Sequence, residues 1–237
     1  MKKQNIPEEI FALITEEEIN IFQELQIKIK ELNKITNLTR LIDGDDYWIS
    51  QVFDSIWPFK AFTNINFNNT KFIDIGSGCG FPGLAYAIVH PNSEIYLIDS
   101  SKKKTDALKN LIKEINFKNN IHVINDRIEK IAHQSSMRNS FNIATTRAVS
   151  NPSTVSEYIL PMLKKEGLGV LYCGKWTDED SKNLDKTLKI LQGEFKDKKK
   201  ILLPRNKGNR NIILIQPKNI CPEIYPRKVG KPEKNRL

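Results

Sequence analysis

Three glycines at alternate positions, Gly76, Gly78 and Gly80, follow an apolar run that closes on an acid, Asp74. Nineteen residues after Gly80 a second apolar run ends on another acid, Asp99. Glycine lacks a Cβ and takes positive φ freely, so this spacing describes a buried strand turning sharply into a helix with its backbone close to a ligand. Pro82 suits the first turn of that helix, where a missing N–H is no loss, and the amides freed in the turn are expected to face the ligand. A carboxylate in the position of Asp99 accepts two hydrogen bonds from the vicinal hydroxyls of a ribose. The chemistry indicated is the holding of a nucleotide-like cofactor, and the plainer reading is a tight strand-to-helix turn.

Gly78 to Gly83 matches GxGxxG, the dinucleotide fingerprint, but that fingerprint starts directly after the strand, and counted from Gly76 its third glycine falls on Phe81. An acid at Asp74 with glycines at 76, 78 and 80 resembles instead the loop that class I S-adenosylmethionine (SAM) methyltransferases wrap around methionine and ribose. Cys79, Cys173 and Cys221 are odd in number with no CxxC pair, and His90, His122 and His133 are scattered, so neither a disulfide framework nor a metal site is expected.

The elements that must position these residues alternate. Strands are predicted at 71–75, 94–98, 121–124, 141–146, 168–173, 199–203 and 211–216, and helices at 82–90, 101–116, 127–132, 153–164 and 178–192. Such alternation gives a parallel sheet with helices on both faces. The last two strands, joined only by PRNKGNR, are predicted to form an antiparallel hairpin at the sheet's end. This is an α/β fold of the Rossmann-like class I SAM-dependent methyltransferase layout, with a seven-stranded, mostly parallel sheet. Ahead of it, apolar residues from Ile10 to Leu32 recur at helical spacing, with Thr15 and Glu18 placed as a capping box, and a further helix is predicted from Asp46 to Trp57, stopped by Pro58. The division expected is a helical extension over 1–65 and a methyltransferase domain over 66–237.

With 237 residues, 39% of them hydrophobic and 27% charged, the chain suits an α/β domain with a small attachment. No apolar run has membrane-spanning length, and acids interrupt the N-terminal segment where a signal peptide would need its apolar core, so a cytoplasmic protein is expected. The net charge of +9 is segregated: residues 196–237 carry thirteen Lys and Arg against Asp197, Glu223 and Glu233, and the remainder is near neutral. A basic segment on a neutral body favours a polyanionic partner, although KDKKK at 196–200 also reads as a solvated turn.

Seven segments, KITNLT at 34–39, VFDSIWP at 52–58, FIDIGSGCGFPG at 72–83, LIDSSKKKTDAL at 97–108, DRIEK at 126–130, TTRAVSNP at 145–152 and IYPRKVGKPEKNRL at 224–237, occur in the order found in one family. They resemble the bacterial small-subunit ribosomal RNA guanine-N7 methyltransferases, also called glucose-inhibited division protein B. The resemblance implies SAM as cofactor and 16S ribosomal RNA or the small ribosomal subunit as partner, with N7 of the guanine conventionally numbered 527 as acceptor. It implies cofactor contacts from the glycine loop (Gly76, Gly78, Gly80, Phe81), from Asp99, Ser100 and Ser101, from Ile128 and Glu129, and from Arg147. Candidate phosphate contacts are Lys102, Lys103, Lys104, Arg205, Arg210, Arg227 and Lys228. Ser50 and Gln51 stand where the family usually has a basic residue and a histidine.

Guanine N7 carries an in-plane lone pair and no proton, so its methylation requires no general base, in keeping with the absence of a His or Cys catalytic constellation. Arginine commonly grips guanine through O6 and N7 together, but a nucleophilic N7 must stay free, so Arg147 is expected on the cofactor or a phosphate. A small-molecule methyltransferase and a non-catalytic RNA-binding or assembly factor are the alternatives, with a dehydrogenase more distant.

Overall fold

A computed structural model describes residues 6–147 and 149–237. The chain opens with α1 (Glu8–Phe11) and α2 (Glu16–Thr36). The reciprocal capping box starts α2, Thr15 Oγ1 accepting from the Glu18 N–H at 3.3 Å and Glu18 Oε2 from the Thr15 N–H at 2.7 Å. Asn37 ends it in the left-handed conformation, at φ 48°.

α3 (Gly44–Tyr47) runs through a π-helical turn, Trp48–Phe53, into α4 (Asp54–Ala61). The predicted stop at Pro58 does not occur: the proline lies inside α4, where Ile56 and Phe59 are buried. Burial of that face outweighs the one intrahelical hydrogen bond the ring removes.

The α/β body follows as β1 (Lys71–Ile75), α5 (Gly83–Val89), β2 (Glu94–Asp99), α6 (Lys102–Glu114), β3 (Ile121–Asn125), α7 (Ile128–Ile131), β4 (Phe141–Arg147), α8 (Pro152–Ile159), β5 (Leu163–Cys173), α9 (Asp178–Ile190), β6 (Gly193–Leu202), β7 (Asn209–Pro217) and α10 (Lys231–Lys234). The sheet order is β3-β2-β1-β4-β5-β7-β6. β1 to β5 are parallel, while β7 enters antiparallel between β5 and β6 and makes the terminal hairpin. The fold is that of the class I SAM methyltransferases.

Two boundaries depart from the sequence reading. The helix predicted over 153–164 stops at Ile159, and β5 begins at Leu163 with its register jumping from Phe141↔Leu163 to Ile143↔Leu168. The jump pushes the exposed residues 164–166 out of the ladder, which hides the strand's first half from a pattern reading. β6 likewise starts at Gly193, well before the predicted 199, because it pairs only with β7 and presents its lysines to solvent. Lysines suit such an edge, where they discourage pairing with another sheet.

Side chains alternate across the sheet into two cores. Phe72, Leu97, Ile143, Val170 and Leu214 face α2, the segment 47–62, α5 and α6; Ile73, Ile98, Ala144, Leu171 and Ile213 face α7, α8 and α9. The N-terminal helices share one continuous hydrophobic cluster with the sheet face they cover. On the opposite face Tyr225 and Leu237, from the C-terminal segment, pack against the second cluster.

Candidate functional site

Ligands of open parallel sheets bind beyond the carboxyl ends of the strands, and the residues singled out above gather there. Gly76, Gly78 and Gly80 have φ of 74°, 56° and 98°, the left-handed region expected of the loop. The amides do not behave as expected. Gly76 and Ser77 N–H both donate to Ile98 O, Gly80 N–H to Ser77 O, Gly78 N–H to Asp99 Oδ2 at 2.9 Å, and Gly83 N–H to Asp74 Oδ2 at 2.9 Å. These donors close the loop upon itself and upon β2 rather than facing a ligand, because a buried amide must be satisfied whether or not a ligand is present.

Asp74 is fully buried and accepts a further bond from Thr145 Oγ1 at 3.2 Å. Burial pushes its carboxyl up to about 6, against the opposing pull of the Gly83 N–H, Arg147 and Thr145. Its role is to tie the start of α5 to β1.

Two adjoining cavities open at this rim. The smaller, about 260 Å³, is bounded by Gly76, Asp99, Ser100, Ile128, Glu129 and Glu233 among others. The larger, about 640 Å³, is bounded by Ser77, Phe81, Gln51, Asp54, Tyr172 and Arg210 among others. Gly76, Lys104 and Arg147 line both. In the smaller cavity Asp99 accepts the Gly78 N–H on one oxygen and the Ser101 N–H, at 2.8 Å, on the other. Ionised, it retains lone pairs for two hydroxyl donors. Buried Ile128 supplies an apolar wall, and Glu129 Oε1, also buried, accepts from the Gly230 N–H at 3.0 Å. In the larger cavity Ser77 Oγ is buried without a partner among the described residues. Such a hydroxyl is costly unless a ligand or water engages it.

Arg147 ends β4 between the two spaces. One terminal nitrogen donates to Ser50 O at 3.1 Å and Ser55 Oγ at 3.3 Å and lies 3.5 Å from Asp54, while the other donates to Gln51 Oε1. All four partners belong to the π turn and α4. Gln51 also reaches Thr39 Oγ1 at 3.2 Å and Cys79 Sγ at 3.3 Å, joining the NLT segment, the glycine loop and β4. Asp54, wholly buried, is gripped by Arg210 through two bonds of 2.6 and 2.7 Å. Sequence reasoning missed Asp54 as a site residue, although an acid inside the apolar run VFDSIW is the same signal that marked Asp74.

The candidate phosphate contacts divide. Lys104 lines both cavities; Lys103 is exposed outside them, and Lys102 pairs with Asp106 at 2.8 Å. Arg210 lines the larger cavity but is held by Asp54. Arg205 lines neither cavity and bridges Glu9 and Asp45 of the N-terminal segment at 3.6 and 3.5 Å. Lys228 is exposed, whereas Arg227 is turned inward onto the buried carboxylate of Glu157 through bonds of 2.7 to 3.2 Å. Lys207, within the basic tail from Arg205 to Arg236 in which phosphate contacts were expected, lines the larger cavity but pairs with Asp46 at 2.7 Å, and Lys175, not anticipated, lines it too. Among the described residues no helix is long and apolar enough to cross a membrane, and no group of three or more His, Cys, Asp or Glu is arranged to hold a metal ion.

Comparison with solved structures places the fold. A crystal structure of a mutant of MtNAS superposes with a TM-score of 0.54 over 85% of this chain and 71% of the other, at 13% identity. M. jannaschii TYW2 in complex with AdoMet superposes with a TM-score of 0.51 over 69% and 74%, at 14% identity. Among curated sequences, "Ribosomal RNA small subunit methyltransferase G" of Prochlorococcus marinus strain MIT 9215 is 86% identical over all 237 residues of both chains. Its namesake in P. marinus subsp. pastoris (strain CCMP1986 / NIES-2087 / MED4) is 70% identical over 99% of this chain and 98% of the relative, and that of strain NATL1A is 44% identical over 94% and 90%. The family model described as rRNA small subunit methyltransferase G matches residues 18–213, so the chain, folded as a class I SAM-dependent methyltransferase, belongs to that family.

Proposed function

We propose that the chain methylates N7 of a guanine in small-subunit (16S) ribosomal RNA, the one conventionally numbered 527, with the cofactor in the smaller cavity and the base in the larger. The observation that carries the assignment is the shared wall: Gly76, Lys104 and Arg147 border both spaces, so groups seated in each meet across it. The residues fit a SAM molecule. Asp99 has acceptor capacity for the ribose hydroxyls, and Ile128, on the same cavity, offers an apolar face to adenine. When bound, SAM supplies a methyl group already activated on a positively charged sulfur.

The chain's own task is to place and to exclude. No side chain needs to remove a proton from N7, and among the described residues no His lines either cavity. Arg147 is held by four groups of the N-terminal segment, which fixes its guanidinium at the boundary of the two cavities. Tyr172 donates to Ser55 O at 2.9 Å, and burial raises its pKa, so it stays a neutral wall. Lys104 and Lys175 are the cavity-lining cations that best suit the RNA backbone, whose binding would then weaken steeply with salt. The extension over 1–65 acts as the part that aims Arg147 and roofs the base cavity.

The test is to map N7-methylguanine in small-subunit RNA from cells with and without the gene, by cleavage at the modified base. Modification that vanishes at one guanine and returns with the wild-type gene but not with Arg147→Ala supports the reading. Loss of methylation at a different ring position, or transfer by the purified protein to metabolites and never to RNA, refutes it.

A further inference from the structure

The C-terminal segment carries much of the chain's excess positive charge, yet the structure gives it another occupation. From Cys221 onward it runs back across the α8 side of the sheet and is fastened at successive points. Arg138 donates to the carbonyls of Cys221, Pro222 and Tyr225 at 2.8 to 3.0 Å, and His133 Nε2 lies 2.8 Å from Pro226 O. Arg227 then meets Glu157, whose side chain is 1% exposed, with both its backbone N–H and its guanidinium. Thr154 Oγ1 donates to Pro232 O at 3.0 Å.

Two further points of the segment reach the smaller cavity itself. Glu233 is part of its wall, and the Gly230 N–H is bonded to Glu129, another wall residue. Gly230 takes φ 77°, a conformation open to glycine, and this turns the chain so that the amide points at the carboxylate. A buried carboxylate short of donors is costly, and without the segment Glu129 would keep only the longer contact from the Tyr158 hydroxyl, so the segment helps to fix its position. Glu157, one turn of α8 from Thr154 and adjacent to Tyr158, does the same for the segment's other half. Tyr158 lines the cavity too, with its hydroxyl 3.5 Å from Glu129.

We infer that residues 221–237 form a strap that closes one side of the cofactor cavity, contributing Glu233 to its wall and fixing Glu129 from behind, and that Arg227 and Gly230 are positioning residues for the cofactor, acting through Glu157 and Glu129. The inference rests on the assignment of the smaller cavity to SAM. It moves Arg227 from the RNA to the cofactor side of the reaction. By linkage, a ligand that needs the strap in place must also hold the strap down.

The test uses the full-length protein and S-adenosylhomocysteine (SAH), the demethylated form of the cofactor. By calorimetry, Arg227→Ala should weaken SAH binding about tenfold or more. Arg227→Lys, which keeps the charge and loses the two-pronged geometry, should fall between it and wild type. In turnover the KM for SAM should rise while the KM for RNA and kcat change little, a split that general loss of structure does not produce. Asp99→Ala serves as the reference for the cavity. If Asp99→Ala loses SAH and Arg227→Ala binds it as wild type does, the strap is no part of the site. If Asp99→Ala itself binds normally, the cavity assignment is at fault.

Should Arg227→Ala fail to fold, hydrogen exchange on the wild type decides. With SAH at about 100 Kd, amides of residues 227–235 that exchange only when the strap lifts should slow by up to ~100-fold. Exchange unchanged by SAH in that segment, with slowing in the glycine loop, overturns the inference.

Discussion

Asp54 holds together the part of the molecule that aims Arg147, and its removal tests that account. The carboxylate is 0% exposed, with Arg210 (20% exposed) donating to both its oxygens and Arg147 (12% exposed) 3.5 Å away. In Asp54→Ala two largely buried guanidiniums lose their common counter-charge, and breaking a buried pair in this way costs about 3–5 kcal/mol. Arg147 keeps Ser50, Gln51 and Ser55, and Arg210 can turn toward water in the open cavity, which places the expected loss at the lower end, about 3 kcal/mol. That is a large share of the roughly 5–15 kcal/mol by which domains of this kind are stable. Asp54→Asn keeps the shape and one acceptor and should lose about 1–2 kcal/mol. Urea denaturation followed by tryptophan fluorescence measures both. A cycle with Arg210→Ala should show about 2 kcal/mol of coupling, the double variant being less damaged than the sum of the singles. Stability of Asp54→Ala within about 1 kcal/mol of wild type, or strictly additive singles, would refute the claim that this carboxylate organises the two arginines.

Two further outcomes follow from the same site. Gly80→Ala places a side chain at φ 98° with its Cβ against Leu84 and 3.0 Å from Leu108 Cδ2, so backbone strain and overpacking together should cost about 3 kcal/mol in urea denaturation; a loss below about 1 kcal/mol would mean that the loop adapts. Asp74 and His90 impose opposite pH dependences. Burial raises Asp74 from 3.8 to about 6, so its burial penalty is relieved, and stability gained, as pH falls through that window. Burial, aided by Lys60, lowers His90 from 6.5 to about 4, so stability is lost as pH falls through a nearly coincident window. Each is worth about 3 kcal/mol and they largely cancel. Asp74→Asn should therefore make the protein markedly more acid-sensitive than wild type between about pH 6 and 4, and His90→Gln less so; urea midpoints of Asp74→Asn parallel to wild type would contradict this.

The order of strands and helices, the loop conformation at Gly76, Gly78 and Gly80, and the gathering of the glycine loop and Asp99 at the carboxyl ends of the strands were legible because they rest on local terms. Apolar period marks a strand or helix face, and an acid inside an apolar run marks a buried carboxylate that needs donors. Asp74 and Asp99 announced themselves this way. Asp54 and Glu157 carry the same mark, in VFDSIW and VSEYIL, but nothing local says which distant guanidinium will answer it.

Net charge behaves differently, since a count along the chain does not say where a charge points. The sequence by itself determined the class of fold, the glycine loop and the presence of a basic C-terminal segment. Only tertiary structure decided that Arg210 and Arg227 face buried carboxylates, that the loop's amides are satisfied internally, and that the last residues wall a cavity. The physical reason is range: periodicity and turn chemistry act over a few residues, whereas these pairings join groups 156, 70 and 101 positions apart and are settled by the cost of leaving a buried carboxylate unanswered.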